Sequence, residues 1–200
     1  MPDTQPGETT AEQTLDIPDD LADLAATVAD EAGTFVETLT EVAAGANPEA
    51  AIPLLLLALS DALGVGARLG AVVDVVPADR FEPDVGPEDD LDPLRTGLAN
   101  LFEGLDTYVE VADPLLGGDP VQSSLSGDLV LIAGALTQGL QHYAAGQVTE
   151  ALWWWQYSYL SNWGERASSA LRVLQTVLAH LRLDVDEDVA AEAEFRALHP

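Results

Sequence analysis

Apolar positions recur at three- and four-residue steps along most of the chain, the spacing of one face of a helix. Leu21, Leu24, Ala25, Val28, Ala32, Phe35, Val36, Leu39 and Val42 form the first stripe. Asp19 or Asp20 suits its N-cap, and Gly45 and Asn47 end it. Asn47-Pro48-Glu49 opens a second helix with a cap residue, a proline in the first turn and an acid at the positive dipole end. This helix is expected to run to about Val73. Its first half is apolar almost all round, which marks it as the central helix. Pro53 would kink it if it lay past the first turn. A third helix fits Leu91 to Val111, with Leu94, Leu98, Leu101, Phe102, Leu105 and Tyr108 as its stripe. A fourth fits Gly127 to Ala145, capped by Ser126 and broken at Gly146. A fifth begins near Gln147 and runs to about Arg182, continuous or hinged at Asn162-Trp163-Gly164.

No stretch alternates apolar and polar residues as a half-buried strand does. The expected fold is therefore all-α, a single-domain bundle of five to six helices with the second and fifth at its core. The domain spans 19–183, between an acidic N-terminal tail (1–18) and an acidic C-terminal tail (184–200) able to form a short outer helix. Two connections interrupt the helices. Val76 to Asp90 holds three prolines and a glycine, a length without regular structure that is uncommon in compact domains. Arg80 and Phe81 are its cation and its aromatic side chain. Asp113 to Ser124 reads as a second loop.

Charge changes this picture most. Thirty-five acids face seven bases, all arginine, for a net charge of −28. A nucleic-acid binder needs a basic footprint, so direct binding to nucleic acid is not expected. Attachment to anionic membranes is disfavoured for the same reason. Six acids lie in residues 1–20, seven in 79–92 and six in 184–200, so the charge concentrates in the tails and one loop. Solubility is the plain reading of such runs; imitation of DNA phosphates or docking of a basic partner is the sharper one. The chain has no cysteine, which removes disulfides and thiolate chemistry. A positive start and an apolar run, the marks of a secretory signal, are missing from the N-terminus. The run Ala50 to Leu59 reads as too short to cross a bilayer. A cytoplasmic protein is expected.

Glu150 to Gln175 carries the aromatic cluster. On a helical projection Leu152, Trp155, Tyr159, Trp163 and Ala170 share one side, and Tyr157, Leu160, Ala167, Leu171 and Leu174 extend it. Ser158, Ser161, Glu165, Ser169 and Arg172 take the opposite side. Three residues break the pattern. Trp154 falls on the polar side, where another segment or a partner must cover it, and tryptophan is enriched at binding hot spots. Arg166 falls in the apolar arc, which requires an acidic partner or suits an anchor for a ligand carboxylate or phosphate. Gln156 also falls there and needs hydrogen bonds. Asp61 and Arg68 interrupt the second helix seven residues apart on one face, about 10 Å along the axis and too far for a direct pair. Each is expected to meet a charge from another helix, and Asp61 with Arg166 is one such pairing. Gly64, Gly66 and Gly70 fit close helix packing better than phosphate cradling.

Patterns for a nucleophile elbow, a phosphate loop or a di-iron bundle are missing. No metal, cofactor or catalytic residue is expected. The stretches AIPLLLLALSDALGVGARLG, VPADRFEPDVGP and EALWWWQYSYLSNWGERASSALRVLQTVLAH together resemble the bacterial family catalogued as domain of unknown function 5063, over about residues 20–185. That resemblance implies an all-helical fold and no assigned activity. Arg68, Arg80, Arg166 and the aromatic run belong to the resembling stretches. Three functional readings follow. The first is a non-enzymatic interaction module that meets a protein partner through Trp154, Arg80 and Phe81. The alternative is a small-ligand or catalytic pocket lined by Trp and Tyr, with Asp61, Arg68, Gln156, Trp163 and Arg166 as its polar and buried members. The third is an acidic DNA mimic. Oligomeric state is left open.

Overall fold

Six α-helices and one two-stranded hairpin build the described part of the chain. The computed structural model describes residues 18–77, 90–111 and 115–198, with side chains to 183. The helices are α1 (Asp19–Ala43), α2 (Ala51–Ala71), α3 (Asp92–Leu101), α4 (Leu125–Ala144), α5 (Val148–Ser158) and α6 (Gly164–Leu198). The strands are β1 (Thr107–Glu110) and β2 (Val121–Ser124), antiparallel with Tyr108 opposite Ser123 and Glu110 opposite Val121. The fold is mostly all-α, as the periodicity requires.

The stripe of α1 is its core face: Ala25, Val28, Ala32, Phe35, Leu39 and Val42 are all buried. A single 3₁₀ turn, Pro48–Ala50, leads into α2. Pro53 therefore sits in the first turn of α2, where a proline lacks no helical bond.

Four expectations need correction. The central helix is α4, not α2. Helix α4 packs against α1, α3, α5 and α6, and buries residues on every side, from Leu129 and Ile132 to Gly139 and His142. Helix α2 packs along α1 and α6 and leaves its outer face in solvent, with Leu57 60% exposed. Its apolar run was misleading because leucines occupy both faces. Second, α3 stops at Leu101. The chain turns at Gly104, whose φ of +82° suits glycine, and continues as β1. Third, the N-cap of α4 is Ser124, whose hydroxyl accepts from the Gly127 N–H, and not Ser126. Fourth, the apolar segment is long enough to cross a membrane. Pro48–Ala71 spans 24 residues, with a mean hydropathy of 1.9 over its most apolar 18 residues, although here it packs on its neighbours.

Gly146, with φ +78°, ends α4 as expected. Helices α5 and α6 join through a π-helical turn, Tyr159–Trp163, where the hinge was expected. The backbone of α6 then continues to Leu198, well into the segment read as a tail.

Candidate functional site

A cavity of about 880 Å³, open on one side, lies between α4 and α5, with the start of α3 as a third wall. Trp154, Tyr157, Ser158 and Ser161 face it at three- and four-residue steps along α5 and the π turn. Leu131, Gly134, Gln138 and Gln141 face it from α4 at the same steps. Leu91, Asp92 and Arg95 close the third side. The side of the aromatic helix that reads as polar is thus the wall of a cavity. That accounts for a tryptophan among serines.

Two of the tryptophans, Trp154 and Trp155, are fixed by their indole N–H groups. Trp154 Nε1 donates to the Ala135 carbonyl at 2.8 Å, and Trp155 Nε1 to the Leu136 carbonyl at 3.1 Å. Gly139 makes the second contact possible: a Cβ there would lie 2.0 Å from Trp155 Nε1. Trp153 stacks on Tyr157 with ring centroids 5.7 Å apart and meets Trp154 edge-on. Trp154 is therefore half-buried, held by α4, with part of its surface on the cavity. Its indole nitrogen is already partnered within the chain.

Arg166 sits in a second polar cluster, beneath the hairpin. Its Nη1 contacts Glu110 Oε1 at 2.6 Å and lies 3.7 Å from Asp128 Oδ1. Ser123 donates to the same Glu110 oxygen, and the Tyr108 hydroxyl donates to Asp128 Oδ2 at 2.6 Å. Burial alone pushes Glu110 up, but the hydroxyls of Ser123 and Ser169 together with the Arg166 guanidinium outweigh it and hold the carboxyl below its usual value. Burial wins at Asp128, whose carboxyl is raised despite Tyr108 and Arg166; Glu110 and Asp106 add to the rise. Burial and the facing Asp128 push the Tyr108 phenol far up. Beside this cluster, Asp106 accepts from the N–H and hydroxyl of Ser126 and so covers the first turn of α4. These bonds clamp the hairpin onto α4 and α6. A guanidinium bonded in this way is a structural ion pair.

The other sequence candidates scatter. Gln156 is buried and ends α2: its Nε2 donates to the Leu69 carbonyl and its Oε1 accepts from the Val75 N–H, both at 2.8 Å. Trp163 is buried against Tyr159 and Gly66, and its Nε1 has no hydrogen-bond partner among the described residues. Asp61 and Arg68 are both exposed, contrary to the expectation that each is buried against another helix. Asp61 does not meet Arg166, which is taken by Glu110 and Asp128. Both point outward because only one side of α2 is covered. Arg80 and Phe81 lie outside the described residues. The pocket residues expected together therefore do not converge. Arg95, which sequence reasoning missed, supplies the cavity's cation instead. The signal available for it was the wheel of a short third helix, obscured by extending that helix to Val111. Among the described residues, no group of three or more His, Asp or Glu could hold a metal ion.

No curated protein matches the chain significantly. The fold is similar to that of protein BF1032 from Bacteroides fragilis, known from a crystal structure, with a TM-score of 0.62 and 16% identity over 76% of this chain and 90% of that one. At that identity the likeness concerns the fold alone. The model of the family described as a domain of unknown function, DUF5063, matches residues 19–180, from the first residue of α1 deep into α6, and the chain belongs to that family.

Proposed function

We propose that the protein is a cytoplasmic binding module whose α4–α5 cavity receives a small organic ligand. The observation that carries this reading is the pair of facing helical stripes. They line a cavity of about 880 Å³ rather than closing on each other. That volume falls in the range of small-molecule sites, roughly 300–1,000 Å³. Trp154 and Tyr157 offer apolar and stacking surface, Arg95 a fixed positive charge, and Thr137, Ser161 and Asn162 hydrogen-bonding groups. Asp90 and Asp92 lie on the same wall as Arg95, so it suits a planar, partly polar molecule with an acceptor group for Arg95. Among the described residues that line it there is no nucleophile–base pair of the kind that covalent catalysis needs. The half-buried Trp154 and the cavity favour this reading over docking of a protein on an exposed tryptophan. An open side keeps an inserted peptide segment as the second reading. Of the nineteen acids in the tails and the loop that a DNA mimic would use, nine lie outside the described residues, and six more lie where only backbone is described.

The test uses the indole N–H resonances of the four tryptophans in a ¹⁵N-labelled sample. A library of planar carboxylates and phosphates is expected to yield binders that shift the Trp154 resonance, with loss of binding in Arg95→Ala. Binders that leave Trp154 unmoved, or that bind Arg95→Ala equally well, count against the cavity as the site.

A further inference from the structure

We infer that the outer face of α2 is a self-complementary surface on which a second copy of the chain docks, antiparallel, about a two-fold axis at Gly64. Leu54, Leu57, Asp61, Gly64, Arg68 and Ala71 all lie in solvent, within an arc of about 100° of the helix. Neither Asp61 nor Arg68 makes an ion pair or hydrogen bond through its side chain among the described residues.

Charge complementarity names the occupant. Asp61 and Arg68 are too far apart to pair within one helix. A two-fold axis between them brings Asp61 of each copy opposite Arg68 of the other, so one face supplies two ion pairs. An isologous contact requires this reciprocity. The same operation sets Leu54 and Leu57 towards the end of the neighbouring α2 and the extended segment just past it, where Val73 and Val76 are 88% and 77% exposed. Apolar ends thus flank a charged centre on both sides. The centre is open: a Cβ added to Gly64 would meet nothing within 4 Å. Glycine there lets two helices approach closely.

Overall charge supports the same surface. The chain carries −28, and its copies repel over most orientations. Residues 50–76, which include those valines, hold Asp61, Asp74 and Arg68, so this stretch carries only −1. Two copies meeting along it avoid the repulsion that acidic faces would impose.

The experiment is sedimentation equilibrium of the full chain, run at about 0.15 M salt, where the Debye length is about 8 Å and repulsion between distant acids is screened. The wild type is expected to dimerise as concentration rises. Asp61→Arg and Arg68→Asp are each expected to raise the dissociation constant about tenfold or more, because each sets like charges opposite one another. Mixing the two variants is expected to restore dimers. In the mixed pair the introduced arginine faces the introduced aspartate, and the retained Arg68 of one copy faces the retained Asp61 of the other, so both contacts are attractive. Both positions are exposed, and circular dichroism checks that the variants fold. A wild type that stays monomeric overturns the inference. So do variants that dimerise undiminished, or a mixture that fails to recover. A monomer whose charge reversals change binding to a different protein would assign the face to that protein and overturn self-association.

Discussion

Gln156 shows what one side chain can settle. It is the polar residue in the apolar arc of the aromatic helix, and the need for partners was legible from its position alone. The partners were not, because they are backbone groups some eighty residues away. The C-terminus of α2 ends in extended backbone at Val72 with no cap of its own, and the Gln156 amide supplies both a donor and an acceptor there. Replacing it with leucine leaves the Leu69 carbonyl and Val75 N–H without that partner. Gln156→Leu is expected to destabilise the fold by about 1–3 kcal/mol, the cost of an unsatisfied buried polar group, read as a lower urea midpoint with an unchanged slope. Asp61 and Arg68 teach the converse. A polar residue inside an apolar run signals burial only if every side of its helix is covered, and α2 is covered on one side.

Among the elements, helix existence was legible and helix ends were less so. Spacing alone carries the third helix through Val111, because Leu105 and Tyr108 continue its stripe. The hairpin escaped notice because its alternation is reversed: Val109 faces solvent while Glu110 is buried. A strand with its glutamate inside does not look like a half-buried strand. Its inward polar residues make the hairpin sensitive to pH. Asp128 is raised above its ordinary 3.8, so the folded state binds protons more readily than the unfolded chain. Its contribution to stability is therefore present at low pH and is lost as pH rises from about 3.8 through the folded value. The difference in unfolding free energy, wild type minus Asp128→Asn, is expected to fall across that window in urea titrations. The Tyr108 phenol is raised above 10.0, so its stabilisation is lost as pH climbs past 10. Absorbance titration is expected to show one tyrosine ionising only as the protein unfolds, and Tyr108→Phe is expected to lack it. Glycines give a second contrast between elements. A Cβ on Gly66 would stand 2.4 Å from the Tyr159 ring, whereas one on Gly33 meets nothing within 4 Å. Gly66→Ala is expected to cost about 1–3 kcal/mol through overpacking, and Gly33→Ala to add about 0.5–1 kcal/mol by reducing backbone freedom.

At the scale of the molecule, the order of helices and the all-α class follow from periodicity, while the choice of core helix and the cavity do not. Hydropathy ranks α2 first because it sums both faces, but centrality depends on how many neighbours a helix touches, and α4 touches the most elements of the fold. The cavity depends on two stripes failing to close, which only their three-dimensional spacing shows. Net charge remains the property that acts everywhere at once. An excess of 28 negative charges favours expansion, whereas the ion pairs found among the described residues centre on Arg166. Salt weakens both, but it screens long-range repulsion between exposed acids more than contacts at 2.6 Å in a half-buried cluster. Repulsion therefore dominates the salt response. The melting temperature is expected to rise with sodium chloride from about 0.01 M to about 0.15 M, as the Debye length falls from about 30 Å to about 8 Å. Scanning calorimetry checks the sign. A chain lacking residues 1–17, and with them four acids, is expected to respond less steeply. A falling melting temperature would instead mean that attraction within the Arg166 cluster outweighs the repulsion of the whole chain.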